Sequence, residues 1–250
     1  MTVRKTILIT GASSGLGRGM ALEFAKMGRD LALCARRIDR LEALKRELEQ
    51  LNPSIGVSIK SLDVTEHQQV FDVFDEFNQE LGSIDRVIIN AGMGKGASIG
   101  TGHFEANKQT AETNFIGLLA QAEAAMLIFR KQNSGHLVTI SSVSAVRGFR
   151  RAMTVYAATK AAVTSLSEGI RIDVMHTPIS VSCIHPGFIR SEINEQVEKV
   201  PFIVDTDVGC RAMVKAIEAE KANSFVPSWP WSLLHWVLRV LPDAWLRKMS

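Results

Sequence analysis

The stretch "KTILITGASSGLG", residues 5–17, decides how the rest of the chain is read. Its first half is a short apolar run rich in β-formers. Gly11, Gly15 and Gly17 follow at once, and "MALEFAKMG" (20–28) then continues in a helical pattern. A turn of this kind brings the backbone close to the positive end of a helix, where a pyrophosphate is favoured. Gly11 suits the tight turn, Gly15 the close approach and Gly17 the packing of helix on strand. The spacing is G-x3-G-x-G rather than G-x-G-x-x-G, so the position after a strand carries the reading more than the glycines do.

Working outward, similar apolar runs recur at 30–35, 57–64, 85–90, 135–141, 179–185 and 224–227. Helical patterns lie between them. Leu41, Leu44, Leu48 and Leu51 mark one amphipathic face, and Val70, Phe71, Phe74, Phe77 and Leu81 another. Near-continuous apolar strands alternating with helices predict an α/β fold: a doubly wound, mostly parallel seven-stranded sheet with helices on both faces. No repeat or linker divides the chain, so one domain is expected. Its catalytic part spans 1–228, with a variable substrate loop at about 190–206, and a Trp-rich extension covers 229–250.

The 250 residues are 46% hydrophobic and 22% charged, ordinary for a globular protein, and can bury a substantial core. A net charge of +3, with basic residues spread along the chain, gives no reason to expect a nucleic-acid partner. Cys34, Cys183 and Cys210 lie far apart without a CxxC, as expected of reduced thiols in the cytoplasm and of a chain without a metal site. The first glycine comes too early for a signal peptide, and no apolar run approaches the ~20 residues that span a bilayer.

In such sheets ligands sit beyond the carboxyl ends of the strands. After the second run comes "ARR", with Arg36 and Arg37 where a carboxylate would meet a free ribose 2′-hydroxyl. A guanidinium there favours a 2′-phosphate, so NADP(H) is the expected cofactor with Arg36 as its main contact. Asp63 and Val64 follow the third run, and Asn90, Ala91 and Gly92 the fourth, as small segments able to border adenine and ribose. Ser141, Ser142 and Ser144 follow the fifth. Then comes "YAATK", which holds the only tyrosine of the chain. Tyr156 and Lys160 are four apart and share a helix face. An ammonium beside a phenol of pKa ~10 favours the phenolate, and a shift of ~3 units needs ~4 kcal/mol. A lysine beside the phenol would therefore lower the Tyr156 pKa, whereas on spacing alone a buried structural Tyr with an exposed Lys is the other reading.

Taken in order, "TGASSGLG", "DV", "NAG", "TNFIG", "SSVSA", "YAATK" and "HPGFIRS" resemble the short-chain dehydrogenase/reductase family over roughly residues 4 to 227. The resemblance implies that Tyr156 is the proton donor and acceptor. It also implies that Lys160 lowers the tyrosine pKa and holds the nicotinamide ribose, that Ser142 bonds the substrate oxygen, and that Asn114 holds a water in the proton relay. Ser13, Ser14, Leu16 and the three turn glycines would hold the cofactor, as would Asp63, Val64 and the "NAG" segment. Pro186, Gly187, Ile189 and Ser191 would close over the nicotinamide. Four features depart from the family, three residues and one spacing. Ile89 replaces an asparagine, Ser191 a threonine, and Ser14 a basic residue of some NADP-binding members. Ser142 and Tyr156 are 14 positions apart, one more than usual, so the loop bulges or Ser141 or Ser144 takes part.

The implied function is an NADPH-dependent carbonyl reductase, moving a hydride between the nicotinamide and a ketone or secondary alcohol. An apolar or lipid-like substrate and a homodimer or homotetramer are expected. The alternatives are an alcohol dehydrogenase working oxidatively and a non-catalytic NADP(H)-sensing scaffold. Arg147, Arg150 and Arg151 could meet an anionic substrate group or simply face solvent. All four tryptophans, Trp229, Trp231, Trp236 and Trp245, lie in the extension, which could roof the pocket, pack on a second subunit, or make peripheral contact with a membrane.

Overall fold

A computed structural model describes residues 3–190 and 202–249. β1 (Thr6–Thr10) leads into α1 (Gly15–Lys26), β2 (Asp30–Ala35), α2 (Ile38–Leu51), β3 (Val57–Ser61), α3 (His67–Leu81) and β4 (Arg86–Ile89). α4 (Phe104–Ala111) passes through a π-helical turn, Glu112–Ile116, into α5 (Gly117–Gln132). The rest is β5 (Gly135–Ile140), a 3-10 turn at Val143–Val146, α6 (Met153–Asp173), β6 (Ile179–Pro186), α7 (Thr206–Glu218), β7 (Asn223–Val226), α8 (Ser228–Val240) and α9 (Asp243–Met249). The strands form one parallel sheet in the order β3-β2-β1-β4-β5-β6-β7.

Alternation along the buried strands builds a core on each face. In β1, Leu8 joins Phe74, Phe77, Phe129 and Val163 under α3, α5 and α6, while Ile7 and Ile9 join Met20, Phe24, Leu41 and Met213 under α1, α2 and α7. Leu41, Leu44 and Leu48 are buried as their spacing predicts, but Leu51, the last residue of α2, is 45% exposed. β3 stops at Ser61, so Asp63 and Val64 lie on the turn beyond it.

At the amino end of the sheet, away from the strand ends that carry ligands, a buried ionic cluster ties β4 and β5 to the turn after α7. Arg86, 1% exposed, pairs with Glu218 and, at 3.3 Å, with Glu220. Its Nε donates to His136 Nδ1 at 2.8 Å, which leaves the ring proton on Nε2 to donate to Ser182 Oγ at 2.8 Å. His136 is therefore neutral, and its 3.6 Å approach to Glu220 is not an ion pair. Burial, then the Arg86 charge, lowers its pKa to about 3.

Candidate active site

The glycine turn joins β1 to α1. Gly11 adopts φ +65°, a left-handed conformation that favours glycine. A Cβ on Gly17 would lie 2.4 Å from the Gly11 carbonyl oxygen, so the helix crosses the turn where no side chain fits. Ser14 caps α1 without a side-chain bond to its backbone, and the first turn holds no acidic residue. The amides at the helix start thus face outward without an internal competitor, which fits a bound pyrophosphate. The Leu16 carbonyl is tied to α7 by Cys210 Sγ at 3.6 Å.

The two arginines after β2 differ in placement. Arg37 is half-buried and lies across the turn, with Nη2 donating to Ser13 Oγ at 3.2 Å and Ser14 Oγ at 2.8 Å. Arg36 is exposed, and its Nη1 is 3.8 Å from Asp63 Oδ2. Sequence reasoning set Arg36 first; the structure seats Arg37 on the turn and leaves Arg36 at its rim. Asp63 Oδ1 also accepts from Thr65 N at 3.0 Å, and Val64 is buried. Asn90 binds β4 to β1: its amide Nδ2 donates to Thr10 O at 3.0 Å, while Thr10 Oγ1 accepts from Asn90 N and Ala91 N.

Tyr156 and Lys160 project from the same face of α6. Lys160 is 6% exposed, and its Nζ donates to the Ile140 carbonyl at 2.8 Å and lies 5.7 Å from the Tyr156 ring centre. Burial lowers its pKa to about 8, with Cys183 opposing. The predicted fall in the Tyr156 pKa is not what the fold produces. Burial moves the half-buried phenol upward, and the Ser142 side chain only partly offsets it. The lysine's ammonium is engaged by a carbonyl of β5.

The serines divide their work. Ser141 Oγ donates to the Lys160 carbonyl at 2.9 Å and so fastens β5 to α6. Ser142 Oγ accepts from Ser144 N at 3.2 Å and Ser144 Oγ at 3.0 Å, leaving its own hydrogen free to point toward Tyr156. Between Ser142 and Tyr156 lie the 3-10 turn and Arg151, left-handed at φ 58° just before α6. Asn114, 1% exposed in the π-helical turn, clamps Met93 through its N–H (2.8 Å) and carbonyl (2.9 Å). A Cβ on Gly92 would sit 3.2 Å from Asn114 Oδ1 and 3.8 Å from Lys160 Nζ, so this glycine keeps the amide and the ammonium around one small space.

Beyond β6, Pro186 ends the strand and Gly187 N donates to Val226 O at 2.8 Å. The Ile189 side chain is buried against Gly209 of α7. Ser191 and most of the expected substrate loop lie outside the described residues.

Three features escaped sequence reasoning. Trp231 of α8, 4% exposed, fills the space a Cβ on Gly187 would need, 2.0 Å from its Nε1, and meets Phe188 edge-on at 5.3 Å. Arg147, left open between an anionic substrate group and solvent, turns to the extension: Nη1 donates to Leu238 O at 3.0 Å and to Leu241 O, and Nη2 pairs with Asp243. It thereby satisfies carbonyls at the negative end of α8. His185, the first residue of "HPGFIRS", bonds Asn223 Oδ1 (3.2 Å) and stacks on Phe225, which meets His235 of α8. Only His185 had a signal in the sequence, its place in a motif; the other two contacts join segments far apart in the chain. Arg150 is half-buried with an unpartnered Nε, and Arg151 is exposed.

Residues 5–201 match the short chain dehydrogenase family. An uncharacterized oxidoreductase of Mycobacterium tuberculosis is 49% identical over 247 residues, covering 99% of this chain and 98% of that protein. An NADP-dependent 3-hydroxy acid dehydrogenase of Schizosaccharomyces pombe is 31% identical, covering 76% of this chain and 73% of that one. Among solved structures, a short-chain dehydrogenase from Sphingobium yanoikuyae in complex with NADPH superposes with a TM-score of 0.81 at 28% identity, over 95% of this chain and 94% of that one. The family match runs over most of the chain, and the mycobacterial relative shares about half its residues from end to end; the chain therefore belongs to the short-chain dehydrogenase family of oxidoreductases.

Proposed function

We propose that this oxidoreductase is an NADPH-dependent carbonyl reductase acting on apolar ketones, with Tyr156, Ser142, Lys160 and Asn114 as its catalytic set. The observation that carries the reading is the placement of Tyr156 and a buried Lys160 on one face of α6, with Lys160 Nζ 5.7 Å from the phenol ring centre and 3.8 Å from where a Cβ on Gly92 would sit. The cofactor would be held by the amides of the turn from Gly11 to Gly17, by Lys160 and by the 186–189 segment, with Arg36 and Arg37 for a 2′-phosphate. When bound, NADPH supplies the hydride. The protein's own groups do the rest. A phenol whose pKa is raised stays protonated at neutral pH, which suits Tyr156 to give a proton to an oxygen gaining charge. Ser142, already accepting two bonds from Ser144, has its hydrogen left for the same oxygen. Lys160 keeps two N–H donors after bonding Ile140.

Preference for NADPH is supported by Ala35, Arg36 and Arg37, which put two guanidinium groups and no carboxylate at the end of β2. The NADPH complex of the Sphingobium enzyme and the NADP dependence of the yeast relative agree with it. Apolar substrates are supported by the aromatic wall of Phe188, Phe202 and Trp231 beside Gly187. Oxidation of NADPH and of NADH, followed against ketones of graded chain length and ring size, tests the reading. NADPH consumption rising with apolar size is expected; turnover with NADH alone, or with none of the ketones, would overturn it.

A further inference from the structure

The outer side of α8 is largely apolar, with Ser232 and Arg239 as its polar members. α8 turns Trp231, Leu234, His235 and Leu238 inward, as a packed helix should. Its opposite face carries Leu233 (55% exposed), Trp236 (63%), Val237 (43%) and Val240 (80%) where a water-facing helix would hold charges. Trp229 (73%) and Trp245 (67%), on either side, continue the strip. Three of the four tryptophans of the chain are thus held out in solvent, all within the extension. Its charges are one-sided. Arg239 and Arg247 are exposed, whereas the one acidic residue, Asp243, is paired with Arg147.

We propose that this surface is a docking face for an anionic phospholipid bilayer. The extension would lie in the headgroup region with Trp229, Leu233, Trp236, Val240 and Trp245 inserted. Indole rings favour that boundary, and exposed guanidinium groups at the rim of an apolar strip match anionic headgroups. A second copy is the less fitting occupant, because self-pairing would join two extensions of the same net positive charge. No described helix is long and apolar enough to cross a membrane, so the contact is one of lying on the surface.

The placement gives the contact a use. The opposite side of α8 rests on Gly187 through Trp231, and its end is clasped by Arg147, five residues after Ser142. The docking face is therefore the back of the roof over the proposed active site, and an apolar ketone dissolved in the bilayer would reach the site without crossing water. This last step rests on the reductase reading; the docking itself does not.

The test is co-sedimentation of the full chain with vesicles of phosphatidylcholine alone and of phosphatidylcholine with phosphatidylglycerol. The variants are Leu233→Ser/Trp236→Ser/Val240→Ser and, to spare the packing, Arg239→Glu/Arg247→Glu. Expected is binding to the anionic vesicles, weakened about tenfold or more in both variants, with unchanged solution mass and unchanged turnover of a short, water-soluble ketone. Absence of vesicle binding by the unaltered protein would overturn the proposal. So would a drop in solution mass of the serine variant, which would mean that a second copy covers the face. A protein that binds vesicles but reduces no ketone would sink the reductase reading and leave the docking standing.

Discussion

Tyr156 and Lys160 were legible because helix geometry fixes which residues share a face, whatever surrounds them. The direction of the Tyr156 shift was not, because burial is set by the whole fold and here outweighs the Ser142 side chain. Arg37 illustrates the same limit. Two adjacent arginines read alike in the sequence, yet one is folded onto Ser13 and Ser14 and the other stands in solvent. Cofactor choice is decided at this scale. Replacing Ala35→Asp together with Arg36→Ile restores a carboxylate for ribose hydroxyls and removes one phosphate partner. A hydrogen bond to a charged group is worth about 1.5–3 kcal/mol, so the dissociation constant for NADPH should rise roughly 10- to 100-fold while that for NADH falls. Titration of both cofactors before and after checks it; equal binding of the two by the unaltered protein would contradict the NADP assignment.

The strands were legible because parallel strands buried on both faces leave little room for polar residues, so each reads as an apolar run. The extension was not. Its composition announced an apolar segment, but what it packs against is decided by Arg147, 96 residues from Asp243 in the chain. Arg147 links the loop that follows Ser142 to the end of α8, and Trp231 links α8 to Gly187, so the extension holds two sides of the proposed substrate site together. Asp243 is 94% exposed, and solvent screens that pair; the bonds to the Leu238 and Leu241 carbonyls hold the clasp. Arg147→Met keeps the side-chain bulk and removes these bonds. The expected result is faster proteolytic cleavage of the extension and a KM for bulky ketones raised about tenfold, with little change for small ones. Unchanged cleavage and an equal effect on every substrate would show that the clasp is not holding the extension in place.

Over the whole molecule, the two ends of the sheet serve different purposes: the proposed chemistry lies at the carboxyl ends of the strands, and the Arg86 cluster closes the amino ends. Nothing in the sequence revealed that cluster, because Arg4, Arg86, His136, Glu218 and Glu220 meet only when the sheet is assembled. It makes stability depend on pH. His136 is held neutral, with a folded pKa of about 3 against ~6.5 unfolded. Its contribution is complete above ~6.5 and is lost as pH falls toward 3. Burial alone would raise the Glu220 pKa, but its bond to Arg4 helps bring it down to about 2, so its contribution is complete above ~4.5 and is lost through 2. Both act in the acid direction. The thermal midpoint should fall steadily from pH 7 to pH 4, and His136→Asn should flatten the part of that fall above ~4.5. A midpoint independent of pH over this range would contradict the neutral, buried assignment of His136.

The central claim is that Tyr156 gives the proton. The most direct measurement compares NADPH oxidation by the unaltered protein and by Tyr156→Phe on one good ketone, with cofactor affinity measured in parallel. Losing a general acid costs about 10²–10⁴ in rate, while the cofactor keeps the glycine turn, Arg36, Arg37 and Lys160. The account predicts a fall in turnover of that size with NADPH affinity within a few-fold. Near-unaltered turnover by the phenylalanine variant would contradict it.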